Sequence, residues 1–251
     1  MTFDYRGCHR ARVLVVDPPW RHDDALGKRG ARAHYGDDSM AEDERTISTD
    51  DLCDLRLPPL ADDCLLFLWR LSNMQEDAIR VLHAWGFGPV KSEVVWRKQA
   101  KGSRVCKECG IPRDHFGMGR YSRNCHEIAL IGRRGNNIAT PGRQRSVFRA
   151  LPPRLELTTE VDSDRYDFEA RVGEHSEKPD EFYYLVRALT LGVGPYVELF
   201  GRRRRYGWRV YGAERDKFPP VTKAQTPKLE LPKRKRRRKP PKLKVIAGGA
   251  R

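Results

Sequence analysis

The sequence is short of several things, and each shortage excludes a class of protein. No apolar run approaches the roughly eighteen residues a membrane-spanning helix requires, so no membrane partner is expected. The opening residues, MTFDYRGCHRARV, lack the apolar core of a secretory signal. Cysteine is sparse: six residues (Cys8, Cys53, Cys64, Cys106, Cys109, Cys125) are scattered through 251. That argues against a disulfide framework and for a reducing compartment. No internal repeat is found. Acidic residues are scarce in one region in particular. From position 215 onward there are fourteen Lys and Arg against two acids, out of a formal net charge of +15, which leaves residues 1–214 at about +3. The body is nearly neutral and the basic character sits in a tail.

What is present reads as a globular α/β body. Short apolar runs at 13–16, 65–69, 93–96, 128–131, 196–200 and 208–211 predict core strands. Two helical patterns lie between them. Residues 73–85 place Met74, Ala78, Val81, Leu82 and Trp85 on one face, with Gly86 as the stop. Residues 178–191 open with Pro179 at a first-turn position, followed by Asp180 and Glu181, and bury Phe182, Leu185, Val186 and Leu189. Strands alternating with helices predict layers around a largely parallel sheet. Residues 97–126 and 136–175 show no clear periodicity and read as long loops or insertions. The expected division is a domain over 1–214 and a basic, disordered tail over 215–251.

Chemistry is suggested first by VLVVDPPW (13–20), an apolar strand ending in a carboxylate, two prolines and an indole. Ligands of open α/β sheets gather beyond the carboxyl ends of strands. An aryl amine is a poor nucleophile because its lone pair is delocalised into the ring. A carboxylate accepting one N–H and a backbone carbonyl accepting the other would pull that nitrogen toward a pyramidal, nucleophilic form. Prolines present carbonyls on a stiff backbone, and an indole stacked on a base is worth about 1–3 kcal/mol. The same four letters also suit a buried turn with a capping Asp and a core Trp, and on their own they do not decide between the two.

The C-terminal half adds HSEKPDE (175–181), ELFGR (198–202), and Gly207-Trp208 followed by Gly212-Ala213-Glu214. LFLWRLSN (66–73), AWGF (84–87) and RNCHEIALIGRRGN (123–136) lie between. In this order, with Asp17-Pro18-Pro19-Trp20 ahead of them, these motifs resemble those of the adenine-N6 methyltransferases of the MT-A type. That family includes eukaryotic messenger-RNA adenosine methyltransferase subunits and many phage and bacterial DNA enzymes. The resemblance covers roughly 11–214. It implies a Rossmann-like sheet in permuted motif order, S-adenosylmethionine as cofactor, and methyl transfer to adenine N6 in nucleic acid, with DNA favoured. RNA N6-adenosine methylation and a catalytically silent nucleic-acid-binding partner subunit are the alternatives. A homodimer or heterodimer is open. The location would be cytoplasmic or nucleoid-associated for a bacterial or phage protein, and nuclear for a eukaryotic one.

Carried over residue by residue, the resemblance makes Asp17, Pro18, Pro19 and Trp20 the catalytic segment, with Asp17 and Pro18 holding the target amine and Trp20 flanking the base. Lys178, Glu198, Phe200, Arg202, Arg204 and Glu214 fall at cofactor-side positions, and Tyr35 and Glu127 near the substrate. Ala213 stands where many members have Asn, so a side-chain contact to the cofactor is absent or replaced there. Of the four arginines 202–205, Arg202 and Arg204 are expected to face the site, with Arg203 and Arg205 alternating outward into water.

Two features lie outside the resemblance. Cys106 and Cys109 have C-x-x-C spacing, with His115, Cys125 and His126 downstream, which suits half a zinc site. A second pair at the usual spacing is missing and adjacent Cys125 and His126 cannot easily both ligate, so free loop thiols are favoured over zinc. In the tail, Lys233, Arg234, Lys235 and Arg236 open a run without an acid, which exerts a sequence-independent pull on phosphates. A nuclear-import signal or a solvated tail fits the same composition.

Overall fold

The computed structural model describes residues 2–21, 46–99, 123–136, 147–149, 170–171 and 177–227. Within them the chain runs β1 (Ala11–Val16), α1 (Thr49–Cys53), β2 (Leu60–Arg70), α2 (Gln75–Ala84), β3 (Ser92–Gln99), β4 (His126–Arg134), β5 (Val147–Arg149), β6 (Ala170–Arg171), α3 (Asp180–Leu189), β7 (Tyr196–Leu199) and β8 (Trp208–Tyr211). The strands form one sheet in the order β5-β3-β4-β2-β1-β7-β8, with β6 also paired to β3. Only β4 runs against the others, pairing antiparallel with both β2 and β3. The parallel stretch β2-β1-β7-β8 is the heart of the molecule.

The central strands are continuously apolar because both faces of the sheet are covered. Alternate residues of β1 point into two separate cores. Leu14 and Val16 join Leu66, Leu68, Ala78, Val81, Leu82 and Trp85 on the α1/α2 side. Val13 and Val15 join Phe67, Trp69, Phe182, Leu185 and Val186 on the α3 side. Each large apolar side chain so enclosed contributes about 1.5–3 kcal/mol relative to exposure. Tying α2 to α1, the Trp85 indole N–H donates to the Leu52 carbonyl at 2.7 Å.

The helix ends show how local sequence sets boundaries. Past α2, Gly86 adopts φ +75°, and the amides of Gly86 and Phe87 reach back to the carbonyls of His83 (2.9 Å) and Leu82 (3.2 Å). That paired return satisfies two orphan carbonyls and needs a left-handed residue, as expected of Gly86. At α3, Pro179 is the extended residue before the first helical one, not a first-turn residue (φ −66°, ψ 146°), while Asp180 and Glu181 do occupy the first turn.

Several expectations need correcting. The strand expected over 196–200 ends at Leu199, because Phe200 turns to φ +61°. β3 and β4 extend into the stretch read as a loop over 97–126, and β5 and β6 lie within 136–175. Nor does the fold stop at residue 214. Val221 pairs with Arg205 in an isolated parallel bridge, and its amide donates to the Arg204 carbonyl at 2.9 Å. Among the described residues no helix is long and apolar enough to cross a membrane.

Candidate functional site

Strand order places the site. β1 lies between β2 and β7, all three parallel, so the segments leaving β1 and β7 emerge side by side at their carboxyl ends. That is where an open α/β sheet forms its crevice. Asp17 is the first residue past β1, and Phe200 the first past β7.

The Asp17–Trp20 segment combines both readings of its sequence. Trp20 is 3% exposed and belongs to the α1/α2-side core; its indole N–H donates to the Trp69 carbonyl at 3.0 Å. It therefore anchors the turn from beneath, and the stacking face expected of it for a base is not presented. The apolar ring and its satisfied N–H make the core the favourable place for it. The prolines carry acceptors: the Pro18 carbonyl takes the Trp20 amide at 2.9 Å and the Pro19 carbonyl the Ile47 amide at 2.8 Å. With Arg21 N–H donating to the Ile47 carbonyl at 2.9 Å, this fastens the turn to a neighbouring segment through a Trp20–Ile47 bridge. Pro19 thus supplies a tether as well as stiffness. A carbonyl has two lone pairs, so Pro18 keeps one acceptor position.

Asp17 points the other way, into a charged cluster. Lys178, at 7% side-chain exposure in the extended approach to α3, places Nζ 2.7 Å from Asp17 Oδ2 and 3.2 Å from Glu127 Oε2. Lys98 on β3 closes on Glu127 from the other side. The Trp69 ring lies under the Lys178 ammonium at 5.1 Å, a cation–π contact. Burial pushes the Asp17 carboxyl above its usual value, and the ammonium beside it offsets only part of that. Burial also works to raise Glu127, but Lys178 and Lys98 together outweigh it and hold the carboxyl down at about 2. The cluster is thus two carboxylates bridged by one ammonium, with a second ammonium behind.

The β7 side supplies Glu198, 3% exposed. Tyr183 on α3 donates its hydroxyl to Glu198 Oε1 at 2.5 Å. Glu198 Oε2 is buried without a hydrogen-bond partner among the described residues. Burial raises this carboxyl to about 7, against the pull of Arg205 and the Tyr183 hydroxyl. The Phe200 ring, on a backbone conformation costing a non-glycine residue about 1–2 kcal/mol, packs edge-on against Phe3 at 5.3 Å. A Cβ on Gly201 would sit 2.9 Å from Glu198 Cδ, and one on Gly212 would sit 2.6 Å from the Gly201 carbonyl oxygen. Close backbone approach therefore requires both glycines, in ELFGR and in YGAE.

The arginines do not alternate as expected. Arg202, Arg203 and Arg205 line the cleft with Asp17, Lys178 and Glu198. Arg204 is 57% exposed and pairs with Asp216 at 2.5 Å. Residues 200–207 are a turn-rich connection between strands, so the two-residue period of a strand does not apply to them. Arg202 pairs with Glu214 at 2.6 Å, and Arg203 with Glu177 at 2.7 Å. The structure thus brings together Asp17, Lys178, Glu127, Glu198, Phe200, Arg202 and Glu214 at one end of the sheet. Sequence reading missed Tyr183, Arg203, Arg205 and Lys98. For Tyr183 the only signal was a phenol on the buried side of a helix, a place where such a hydroxyl needs a partner.

Other expected residues (Tyr35, Lys233, Arg234, Lys235, Arg236, Cys106, Cys109 and His115) lie outside the described ones. Cys125 is a half-buried free thiol, and among the described residues no group of three or more side chains could hold a metal. Ala213 is exposed. One feature of the cleft fits a nucleoside-type cofactor: a buried carboxylate oxygen of Glu198 without a partner among the described residues suits a ribose hydroxyl.

Comparison with known proteins gives concordant matches. The MT-A70 family model matches residues 11–214. The chain is 26% identical over 222 residues to the Type II methyltransferase M.MunI of Mycoplasma sp, covering 81% of this chain and 77% of that protein. It is 27% identical over 206 residues to an N(6)-adenosine-methyltransferase MT-A70-like protein of Drosophila melanogaster, covering 81% and 27%. It is 26% identical over 206 residues to the N(6)-adenosine-methyltransferase catalytic subunit METTL3 of Homo sapiens, covering 81% and 28%. The match therefore spans most of the Type II protein but only about a quarter of the two longer ones.

Proposed function

This chain belongs to the MT-A70 family, and on that premise we propose that it transfers a methyl group from S-adenosylmethionine to adenine N6 in nucleic acid, with DNA as substrate. The observation that carries the reading is the buried Asp17–Lys178 pair at the carboxyl end of β1, facing Glu198 across the cleft. DNA is taken over RNA because the match runs over 77% of the Type II methyltransferase, against about a quarter of the N(6)-adenosine methyltransferases.

Asp17, ionised and held by Lys178, accepts one N–H of the target amine, and the remaining lone pair of the Pro18 carbonyl accepts the other. Two acceptors on the same nitrogen draw its lone pair out of conjugation, and the fixed turn avoids reorganisation at the moment of reaction. Lys178 keeps Asp17 from rotating away, while Glu127 and Lys98 keep Lys178 in place. Glu198, Arg202 and Glu214 would hold the cofactor, which when bound would supply the methyl group from its sulfonium. Once methylated, the nitrogen is cationic and acidic, and it gives its extra proton to water without a dedicated strong base. A duplex substrate must first release the adenine from the stack, since its N6 cannot reach the cleft otherwise.

The test is N6-methyladenine formation on DNA and RNA pools by wild type and Asp17→Ala. Modified DNA with wild type alone supports the reading. Modification confined to RNA moves the substrate to adenosine in RNA. Equal activity of the two proteins removes the catalytic assignment, and no cofactor binding by the wild type points to a silent subunit.

A further inference from the structure

Glu198 is held by a group outside every motif of the family resemblance. The Tyr183 hydroxyl lies 2.5 Å from Glu198 Oε1. The Tyr183 ring is fixed on several sides: Trp208 stands edge-on at 5.3 Å, Phe182 packs at 5.4 Å, and the Arg205 guanidinium lies 3.7 Å from the ring centroid. Arg205 is itself immobilised, 6% exposed and paired with Asp180 in the first turn of α3. The phenol therefore has one orientation open to it, and that orientation occupies one oxygen of Glu198 while leaving Oε2 without a partner among the described residues.

We infer that Tyr183, clamped by Arg205, is a positioning residue for cofactor binding: it fixes the Glu198 carboxylate so that Oε2 accepts a ribose hydroxyl. This rests on the proposed reading that the cleft binds S-adenosylmethionine. Without the phenol, the carboxylate would be free to turn or to take up a proton, and the ribose would lose a preorganised acceptor.

The groups acting most strongly on Glu198 are Arg205 from the loop after β7, Tyr183 from α3, Asp17 from the end of β1 and Lys178 from the approach to α3, and Arg202, Arg203 and Glu177 line the same cleft. Burial raises the Tyr183 hydroxyl well above its ordinary range, so it stays a donor. Burial raises Glu198 to about 7; Arg205, the Tyr183 hydrogen bond and Lys178 pull it down, and Asp17 pushes it up. A carboxylate accepts a hydroxyl better than a carboxyl does, so cofactor affinity falls as pH drops through this value. Removing a donor that favours the charged form moves the fall to higher pH.

The test measures equilibrium binding of S-adenosylhomocysteine by calorimetry from pH 6 to 8.5. It compares wild type, Tyr183→Phe, Glu198→Gln and the double variant. Tyr183→Phe keeps the ring and its packing. At pH 7 it should weaken binding on the order of tenfold, the worth of one hydrogen bond to a charged group, and move the midpoint upward. In the Glu198→Gln background the same substitution should change affinity by less than about twofold, with no pH dependence. Equal losses in both backgrounds, or an unshifted midpoint in Tyr183→Phe, would overturn the inference. A wild-type protein that does not bind S-adenosylhomocysteine would instead overturn the functional reading beneath it.

Discussion

Lys178 offers the sharpest test of the cluster, because its ammonium is shared by two buried carboxylates, at 2.7 Å from Asp17 and 3.2 Å from Glu127. Lys178→Met keeps most of the stem and removes the charge. Glu127 retains Lys98, whereas Asp17 keeps only the more distant influence of Arg202. Breaking a buried pair by deleting one partner costs about 3–5 kcal/mol where the remaining charge has no escape. Asp17 has one, since it can take up a proton. From an ordinary value of 3.8, protonation at pH 7 costs at most about 4.5 kcal/mol, at ~1.4 kcal/mol per pH unit. Burial already raises Asp17 in the wild type, so the loss should fall short of that ceiling, at about 2–4 kcal/mol. In the variant the folded-state value lies far above the unfolded one. Such a group weakens the fold as pH rises past the unfolded value, so the deficit should fade on acidification, to at most about 1.7 kcal/mol at pH 5. Urea unfolding of both proteins at pH 5 and pH 7 reads this directly. A deficit of the same size at both values would mean that lost packing and not a stranded carboxylate is responsible, and no deficit would mean that the pair does not form.

Gly201→Ala should destabilise the protein by about 1–3 kcal/mol and weaken cofactor binding, because the added carbon meets Glu198 and Val210. A melting curve and S-adenosylhomocysteine affinity both unchanged from wild type would contradict the close approach described for this turn. Arg204→Ala, which removes an exposed pair with Asp216, should leave both the melting curve and cofactor affinity as they are. Arg202→Ala should reduce the affinity, and comparable losses from the two variants in a binding assay would restore the alternation expected from sequence.

The elements most legible in the sequence were those whose apolar pattern is settled locally. The runs in β1, β2 and β4 are long and β-branched or leucine-rich, and no other use of them satisfies both faces of a sheet. The Gly86 stop is equally local, since only a left-handed residue lets two amides return to His83 and Leu82. α1 escaped notice because five residues carry too little periodicity, although Ser48 accepting the Asp51 amide at 3.1 Å is an ordinary start signal that could have revealed it. β5 and β6, of three and two residues, exist as strands only by pairing with β3. No local property of VFR or AR announces that.

In the site, the division runs between side chains placed by a strand end and those placed by a turn. Asp17 was readable because parallel strands deliver their carboxyl ends to one crevice whatever follows them, whereas Glu198 entered only through the family resemblance. Trp20 was not, because an indole three residues past a strand can reach into the core or over the crevice, and the choice depends on a carbonyl 49 residues away at Trp69. The arginines failed for a related reason: treating 202–205 as a strand end presumed that the chain stays extended, and a single positive φ at Phe200 cancels that. With it, Arg203 and Arg205 swing to Glu177 and Asp180, beside α3. The same turn that spoils the parity argument thereby ties β7 to the helix bearing Tyr183. Phe200 is thus a hinge of the site's geometry as much as a lining residue, and its unfavourable backbone is offset by the Phe3 ring packed against it.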